Sequence, residues 1–130
     1  MMTEGQSMWT RRLWMTLAAV SGFIGVAAGA FGAHGLSDPT AKEVMRTGSN
    51  YELVHALATI LCSTFITAGA RGARIPPAFF LLGTVLFSGS LYALALGAPR
   101  WVGIATPFGG VLFMIGWGLL VCSAWKIDRA

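Results

Sequence analysis

Two histidines, His34 and His55, stand where apolar runs of this sequence end or begin. His34 closes the run ending Gly-Ala-Phe-Gly-Ala-His-Gly, and His55 opens the next run in Asn-Tyr-Glu-Leu-Val-His-Ala. Glu52 precedes His55 by three residues, so a helix would place both on neighbouring positions, where they can share a proton or a hydrogen bond. Titratable side chains beside long apolar runs are costly in a membrane and indicate a function.

Several chemistries could use these groups. His34 and His55 with Glu52 could bind a metal ion, or the two histidines a haem, although neither belongs to a paired ligand motif. Ser88 or Ser90 could form a hydrolase with His55 and Glu52, but no nucleophile elbow accompanies them. The sequence therefore favours a neutral hydrogen-bonded cluster over catalysis, and predicts neither a metal nor a cofactor.

The second apolar run carries a polar stripe with a four-residue spacing. Its members are Tyr51, His55, Thr59, Ser63 and Thr67. On a helix they share one face, which could form a proton or solute path. Hydroxyls that bond back to their own helix carbonyls explain the same stripe structurally, and this interpretation is favoured.

Composition decides where these groups lie. Of 130 residues, 55% are hydrophobic and 11% charged, with a mean hydropathy of +0.69, whereas soluble domains carry about 25% charged residues. Four uncharged runs cover 13–33, 53–70, 75–99 and 101–125. Since a bilayer core of about 30 Å needs roughly 20 helical residues, each run can span it. The sequence predicts an all-α integral membrane protein, an antiparallel four-helix bundle forming one domain over 1–130.

Helix signals place the expected spans at about 13–33, 51–70, 78–98 and 102–124. Between the first two, Asp38-Pro39 has the pattern of an N-cap followed by a first-turn proline. This predicts a short interfacial helix over 39–47, ended by Gly48-Ser49-Asn50.

Orientation follows from lysines and arginines. Six of them share the side of the two termini, against three on the other side: Arg11, Arg12, Arg71, Arg74, Lys126 and Arg129 against Lys42, Arg46 and Arg100. The positive-inside rule predicts cytoplasmic termini. The up-down order then brings polar residues of all four spans into the outer leaflet. This candidate polar site comprises His34, Tyr51, Glu52, His55, Ser88, Ser90, Tyr92 and Thr106.

Small residues recur on two spans and indicate close helix packing. The first span carries Ser21, Gly25, Gly29 and Ala33, the third carries Gly89, Ala93 and Gly97, and the fourth begins with Gly109 and Gly110. Packing within the chain is the favoured interpretation, and homo-oligomerisation is the alternative.

Four segments in order resemble the YgdD/YwdK-like family of small four-span membrane proteins, to which transmembrane protein 256 is related. They are Gly29 to Leu36, Thr47 to Ala58, Phe87 to Leu94, and Thr106 to Gly110 with Gly116-Trp117. The resemblance implies a bacterial plasma membrane protein with four helices. Because that family is a domain of unknown function, it supplies no catalytic residues. The position of Glu52 there is commonly glutamine or another polar residue, so polarity is what the resemblance implies at this position.

The sequence therefore predicts a small multi-pass inner-membrane protein that is not an enzyme, acting as a structural or accessory subunit. Its expected partners are the lipid bilayer and either further copies or a larger membrane complex. The sequence lacks a basic stripe interleaved with aromatic residues, so it does not indicate nucleic acid binding. The alternatives are a small transporter or channel with a proton-sensitive His, Glu and Tyr site, and metal or haem binding through His34 and His55.

Overall fold

The computed structural model describes residues 4–128, with side chains from residue 11 onward. Four α-helices follow one another: α1 (Glu4–Gly35), α2 (Pro39–Thr67), α3 (Pro76–Ala95) and α4 (Ala105–Ala124). Short 3-10 turns, Arg71–Arg74 and Arg100–Ile104, lead into α3 and α4. The expected all-helical bundle is confirmed for this part of the chain. Arg129, which entered the orientation argument, lies outside the described residues.

The chain makes one helix where two were expected. Asp38 caps α2 as predicted, because its carboxylate accepts the Ala41 N–H at 2.8 Å. The predicted end at Gly48-Ser49-Asn50 is absent, and residues 39–47 form the first turns of α2. Gly48 lies against the Tyr92 ring, and the Ser49 hydroxyl donates to the Gly25 carbonyl at 2.7 Å. Packing against neighbouring helices thus outweighs the low helix propensity of these residues.

Glycines end α2 and α3 by the same backbone device. Gly69 and Gly97 have φ of +102° and +101°, a conformation that other residues rarely adopt. After α3, the Ala98 N–H donates to the Ala93 carbonyl at 2.9 Å, which satisfies a carbonyl of the last turn. Gly97, expected on a packing face within the third span, instead ends α3. Only a residue without a side chain turns the chain here at no steric cost.

The helices form an open strip, in which each packs against the next along the chain. The main contacts are between α1 and α2, α2 and α3, and α3 and α4, with slight contacts of α1 to α3 and of α2 to α4. Within the described residues, α1 and α4 do not touch each other. The two faces of the strip therefore lie between α1 and α3 and between α2 and α4.

The helices differ in how apolar they are. Three stretches of 25 residues are long and apolar enough to cross a membrane: Arg11–Gly35, Arg71–Ala95 and Arg100–Ala124. They contain most of α1, and all of α3 and α4. The fourth expected span, α2, is not among them, because charged and polar residues interrupt it. Since α2 lies between α1 and α3, polar side chains such as Glu52 and His55 are buried inside the strip.

Glycines in α3 and α4 let phenylalanine rings lie against the backbone. A Cβ at Gly83 would come within 2.6 Å of Phe113, and one at Gly116 within 2.6 Å of Phe80. Gly109 lies against the backbone nitrogen of Phe87, closer than any side chain allows. These three positions fix the distance between α3 and α4.

We expect Gly109→Ala to lower the free energy of unfolding in detergent by about 1–3 kcal/mol, because the added methyl must displace backbone rather than a flexible side chain. Gly118→Ala, on the same helix, is the matched control, since its Cβ meets nothing within 4 Å. The control should be neutral or slightly stabilising, given alanine's higher helix propensity. Equal effects of the two changes in thermal unfolding would contradict the packing described here.

Candidate functional site

Glu52 joins three helices through its carboxylate. It lies on α2, is only 4% exposed, and accepts hydrogen bonds from hydroxyls on both neighbouring helices. The Ser21 hydroxyl of α1 donates to Oε2 at 2.8 Å, and the Tyr92 hydroxyl of α3 donates to Oε1 at 2.7 Å. Among the described residues no lysine, arginine or histidine forms an ion pair with it. We call these three residues the Glu52 cluster.

The residues of the Glu52 cluster lie at different distances from the ends of their apolar stretches. Ser21 is ten residues from Arg11 and fourteen from Gly35, the two ends of its stretch, which at 1.5 Å per residue is about 15 Å and 21 Å. Tyr92 is three residues, or about 5 Å, from Ala95, where its stretch ends. Glu52 follows thirteen residues after Pro39, the first residue of α2, and its expected place in the outer leaflet stays a prediction.

His55 occupies a neighbouring position on α2 but bonds with other partners. The Trp117 indole N–H donates to Nε2 at 3.0 Å, and Nδ1 lies 2.7 Å from the Tyr51 carbonyl oxygen. An indole only donates and a carbonyl only accepts, so the ring is neutral with its proton on Nδ1. Phe113 stacks on the imidazole at 3.5 Å between ring centroids. The expected hydrogen bond between His55 and Glu52 is therefore not formed.

His34 does not reach the other candidate residues. It is exposed in the last turn of α1. Gly22 of α1 lies beside Ala56 and therefore marks the level of His55 on α1. His34 is twelve residues further along α1, about 18 Å from that level. Across the described part of the chain, no three histidine, cysteine or acidic residues are grouped to hold a metal ion. The two histidines do not form a shared metal or haem site.

The remaining candidates form small hydrogen bonds between helices. The Ser88 hydroxyl donates to the Gly48 carbonyl at 2.7 Å, and Ser90 lies 2.5 Å from the Thr106 hydroxyl. Tyr51 is 45% exposed and packs its ring on Phe87, 4.6 Å between centroids. The eight predicted residues are thus distributed over separate clusters rather than one site.

The polar stripe of α2 is satisfied within the helix. The Thr59 hydroxyl donates to the His55 carbonyl at 2.8 Å, and the Thr67 hydroxyl to the Ser63 carbonyl at 3.0 Å. Such bonds leave these hydroxyls without a role in a continuous path. This geometry favours the structural interpretation of the stripe.

The α1–α3 groove opens beside the Glu52 cluster. It encloses about 690 Å³. Its apolar walls are Trp14, Leu17, Val20 and Ile24 of α1 and Ala78, Leu81, Leu82 and Val85 of α3. Its floor is formed by smaller or polar residues, Ser21, Glu52, Thr84, Ser88, Gly89 and Tyr92. On the opposite face, Phe113 and Trp117 fill the space between α2 and α4 around His55.

The predicted packing residues differ in what they meet. On α1, a Cβ at Gly25 would approach Leu53 and Glu52, and one at Gly29 would approach the Ser49 hydroxyl. On α3, a Cβ at Gly89 would meet nothing within 4 Å. The small residues of α1 therefore pack inside the chain, whereas Gly89 opens onto the α1–α3 groove.

Two partners of the buried polar groups were not predicted as such. Ser21 was assigned only to helix packing, although it also donates to Glu52. Trp117 was noted only as part of a Gly-Trp pair. Trp117 lies far from either end of its apolar run, and this position predicts a hydrogen bond within the protein, because a buried indole N–H requires an acceptor. His55 is that acceptor.

We expect Glu52→Ala to destabilise the protein by about 2–4 kcal/mol, because it leaves the Ser21 and Tyr92 hydroxyls buried without their acceptor. Glu52→Gln should cost clearly less, since the amide still bonds to both. Unfolding in mixed micelles measures both, with the exposed Glu43→Ala as control. Equal losses for the alanine and glutamine variants would show that the cluster does not stabilise the fold.

Comparisons with known proteins place the chain among membrane proteins. The model of the family described as "Protein of unknown function (DUF423)" matches residues 28–110. The inner membrane protein YgdD of Escherichia coli K12, named UPF0382, is 43% identical over 127 residues, covering 92% of this chain and 95% of the relative. UPF0382 membrane proteins of Haemophilus influenzae and Staphylococcus epidermidis are 41% and 38% identical, covering 87% and 88% of this chain and 94% and 97% of the relatives. No solved structure matches. The chain therefore belongs to the DUF423 family of membrane proteins, whose function is unknown.

Proposed function

We propose that this protein is a non-enzymatic accessory subunit that holds a transmembrane helix of another membrane protein in the α1–α3 groove. The observation that carries the proposal is the carboxylate of Glu52 on the floor of a groove that opens between two apolar helices. A titratable group buried between apolar helices is costly in a membrane and indicates a function.

The shape of the groove supports a helix as occupant. The α3 residues that line the groove extend from Ala78 to Tyr92. This separation of fourteen residues is about 21 Å, most of a bilayer core of about 30 Å. Gly89 leaves room on the floor for the close approach of another backbone. Small residues at such contacts are what allows membrane helices to associate by packing.

Charge complementarity supports the chemistry of the partner. The Glu52 carboxylate accepts two hydrogen bonds and has about four lone-pair directions, so it can accept more. Its donors in the described residues are both neutral hydroxyls. A lysine or arginine near the middle of a partner helix would supply a charge-assisted hydrogen bond, which is stronger than a neutral one.

The same contacts support a role without catalysis. Both nitrogens of His55 and both oxygens of Glu52 are engaged by fixed partners, and the two residues share none of them. Ser88, drawn as a nucleophile in the hydrolase alternative, donates to the Gly48 carbonyl. No base lies ready to activate a nucleophile at these positions.

A direct test uses synthetic transmembrane peptides of leucine and alanine, with either one lysine or a leucine at the centre. Energy transfer between labelled peptide and protein in phosphatidylcholine vesicles measures binding. The lysine peptide should bind about tenfold more tightly, since polar contacts between membrane helices contribute about 1–2 kcal/mol in model peptides. Glu52→Gln should reduce the difference strongly.

The controls separate the groove from the rest of the surface. Gly89→Phe places a ring in the α1–α3 groove and should abolish binding of both peptides, whereas Gly118→Phe on α4 has equal space and should leave binding unchanged. Equal affinity for the two peptides would contradict the proposal. So would self-association of differently labelled copies that Gly89→Phe abolishes, because the occupant would then be a second copy.

We infer from the distribution of lysines and arginines that the termini are cytoplasmic. In a background with Cys62 and Cys122 replaced, a cysteine at Ser37 should react with an impermeant maleimide added to intact cells, and one at Arg74 should react only after lysis. The reverse pattern would show that the end of the protein carrying His34 faces the cytoplasm.

A further inference from the structure

A second pocket lies between the last turns of α1 and the first turns of α2. It encloses about 520 Å³ and is separate from the Glu52 cluster. Its lining consists of Gly29, Gly32 and Ala33 of α1 and Pro39, Lys42, Glu43, Arg46, Ser49 and Asn50 of α2. We call it the α1–α2 pocket.

One face of α2 presents hydrogen-bond donors to this pocket. Lys42, Arg46 and Asn50 follow one another at intervals of four residues, so they lie along the same side of the helix. Lys42 and Arg46 are exposed, and neither forms an ion pair in the described part of the chain. Two cations and an amide at this spacing are suited to a phosphate, which arginine can bind through two hydrogen bonds.

Glu43 adds a charge of the opposite sign. It also lines the pocket and is exposed, with no ion pair to Lys42 or Arg46 among the described residues. A plain phosphate would be repelled by this carboxylate. A phosphate that carries an ammonium group on the same headgroup would use all three charges.

The position of the pocket indicates a lipid as the source of that group. Gly29, Gly32 and Ala33 belong to the last two turns of the apolar stretch Arg11–Gly35, and Pro39 is the first residue of α2. The pocket thus lies where an apolar helix reaches the headgroup level of a bilayer. Gly29 and Gly32 let Ser49 and Met45 of α2 pack closely against α1, and the pocket opens beside this contact.

We propose that the α1–α2 pocket binds the headgroup of a zwitterionic phospholipid with a primary ammonium, as in phosphatidylethanolamine. Lys42, Arg46 and Asn50 donate to the phosphate oxygens, and the Glu43 carboxylate accepts from the ammonium. Charge and hydrogen bonding decide the choice among lipids. Phosphatidylglycerol leaves Glu43 unpaired beside a phosphate, and the quaternary ammonium of phosphatidylcholine cannot donate a hydrogen bond.

Native mass spectrometry of the purified protein, titrated with each of these three lipids, measures the relative affinities. The unmodified protein should retain phosphatidylethanolamine most strongly. The double variant Lys42→Gln with Arg46→Gln should lower its retention about 30-fold, because each cation near a lipid surface contributes about fivefold to affinity. Arg100→Gln is the matched control at the same end of the protein and outside the pocket, and should change retention less than twofold.

Glu43→Gln distinguishes a zwitterionic headgroup from an anionic one, because the expected changes in lipid retention have opposite signs. It should weaken retention of phosphatidylethanolamine and strengthen retention of phosphatidylglycerol. Stronger retention of phosphatidylglycerol by the unmodified protein would overturn the proposal. So would competition by soluble phosphoethanolamine at the same concentration as the lipid, which would identify a soluble ligand. Circular dichroism of each variant confirms that these exposed changes leave the helices folded.

Discussion

The structure depends on hiding a polar helix between apolar ones. α2 carries charged and hydroxyl side chains that hydrocarbon cannot solvate, so each must find its partner within the protein. Glu52 does so by accepting from α1 and α3 at once, and His55 by bonding to Trp117 of α4. These bonds connect α2 to every other helix. The position of the least apolar helix thereby sets the positions of the other three.

The sequence predicts the helices better than it predicts their contacts. Run lengths, the Asp38 cap and the proline after it are local signals, and the helices they indicate are present. The predicted helix end at Gly48 is wrong because this glycine serves a contact that is distant in sequence. The Tyr92 ring needs a residue without a side chain there. Likewise, spacing places Glu52 and His55 near each other on α2, but only the positions of α1, α3 and α4 decide that they bond to different helices.

The two faces of the strip solve the same packing problem differently. Between α2 and α4, the rings of Phe113 and Trp117 occupy the space and enclose His55. Between α1 and α3, small floor residues leave about 690 Å³ open above Glu52. The filled face explains why His55 belongs to the interior of the fold. The open face leaves the Glu52 cluster beside the α1–α3 groove.

The strip arrangement has a consequence for biogenesis. Because each helix packs on its predecessor, and the described parts of α1 and α4 do not meet, every contact that α2 makes with α1 is available before α3 is synthesised. A helix with Glu52 and His55 in its interior enters hydrocarbon poorly by itself. We therefore expect α1 and α2 to enter the bilayer together as a hairpin. In that order of events Ser21 is the first hydrogen-bond donor to Glu52, and Tyr92 adds its bond when α3 follows.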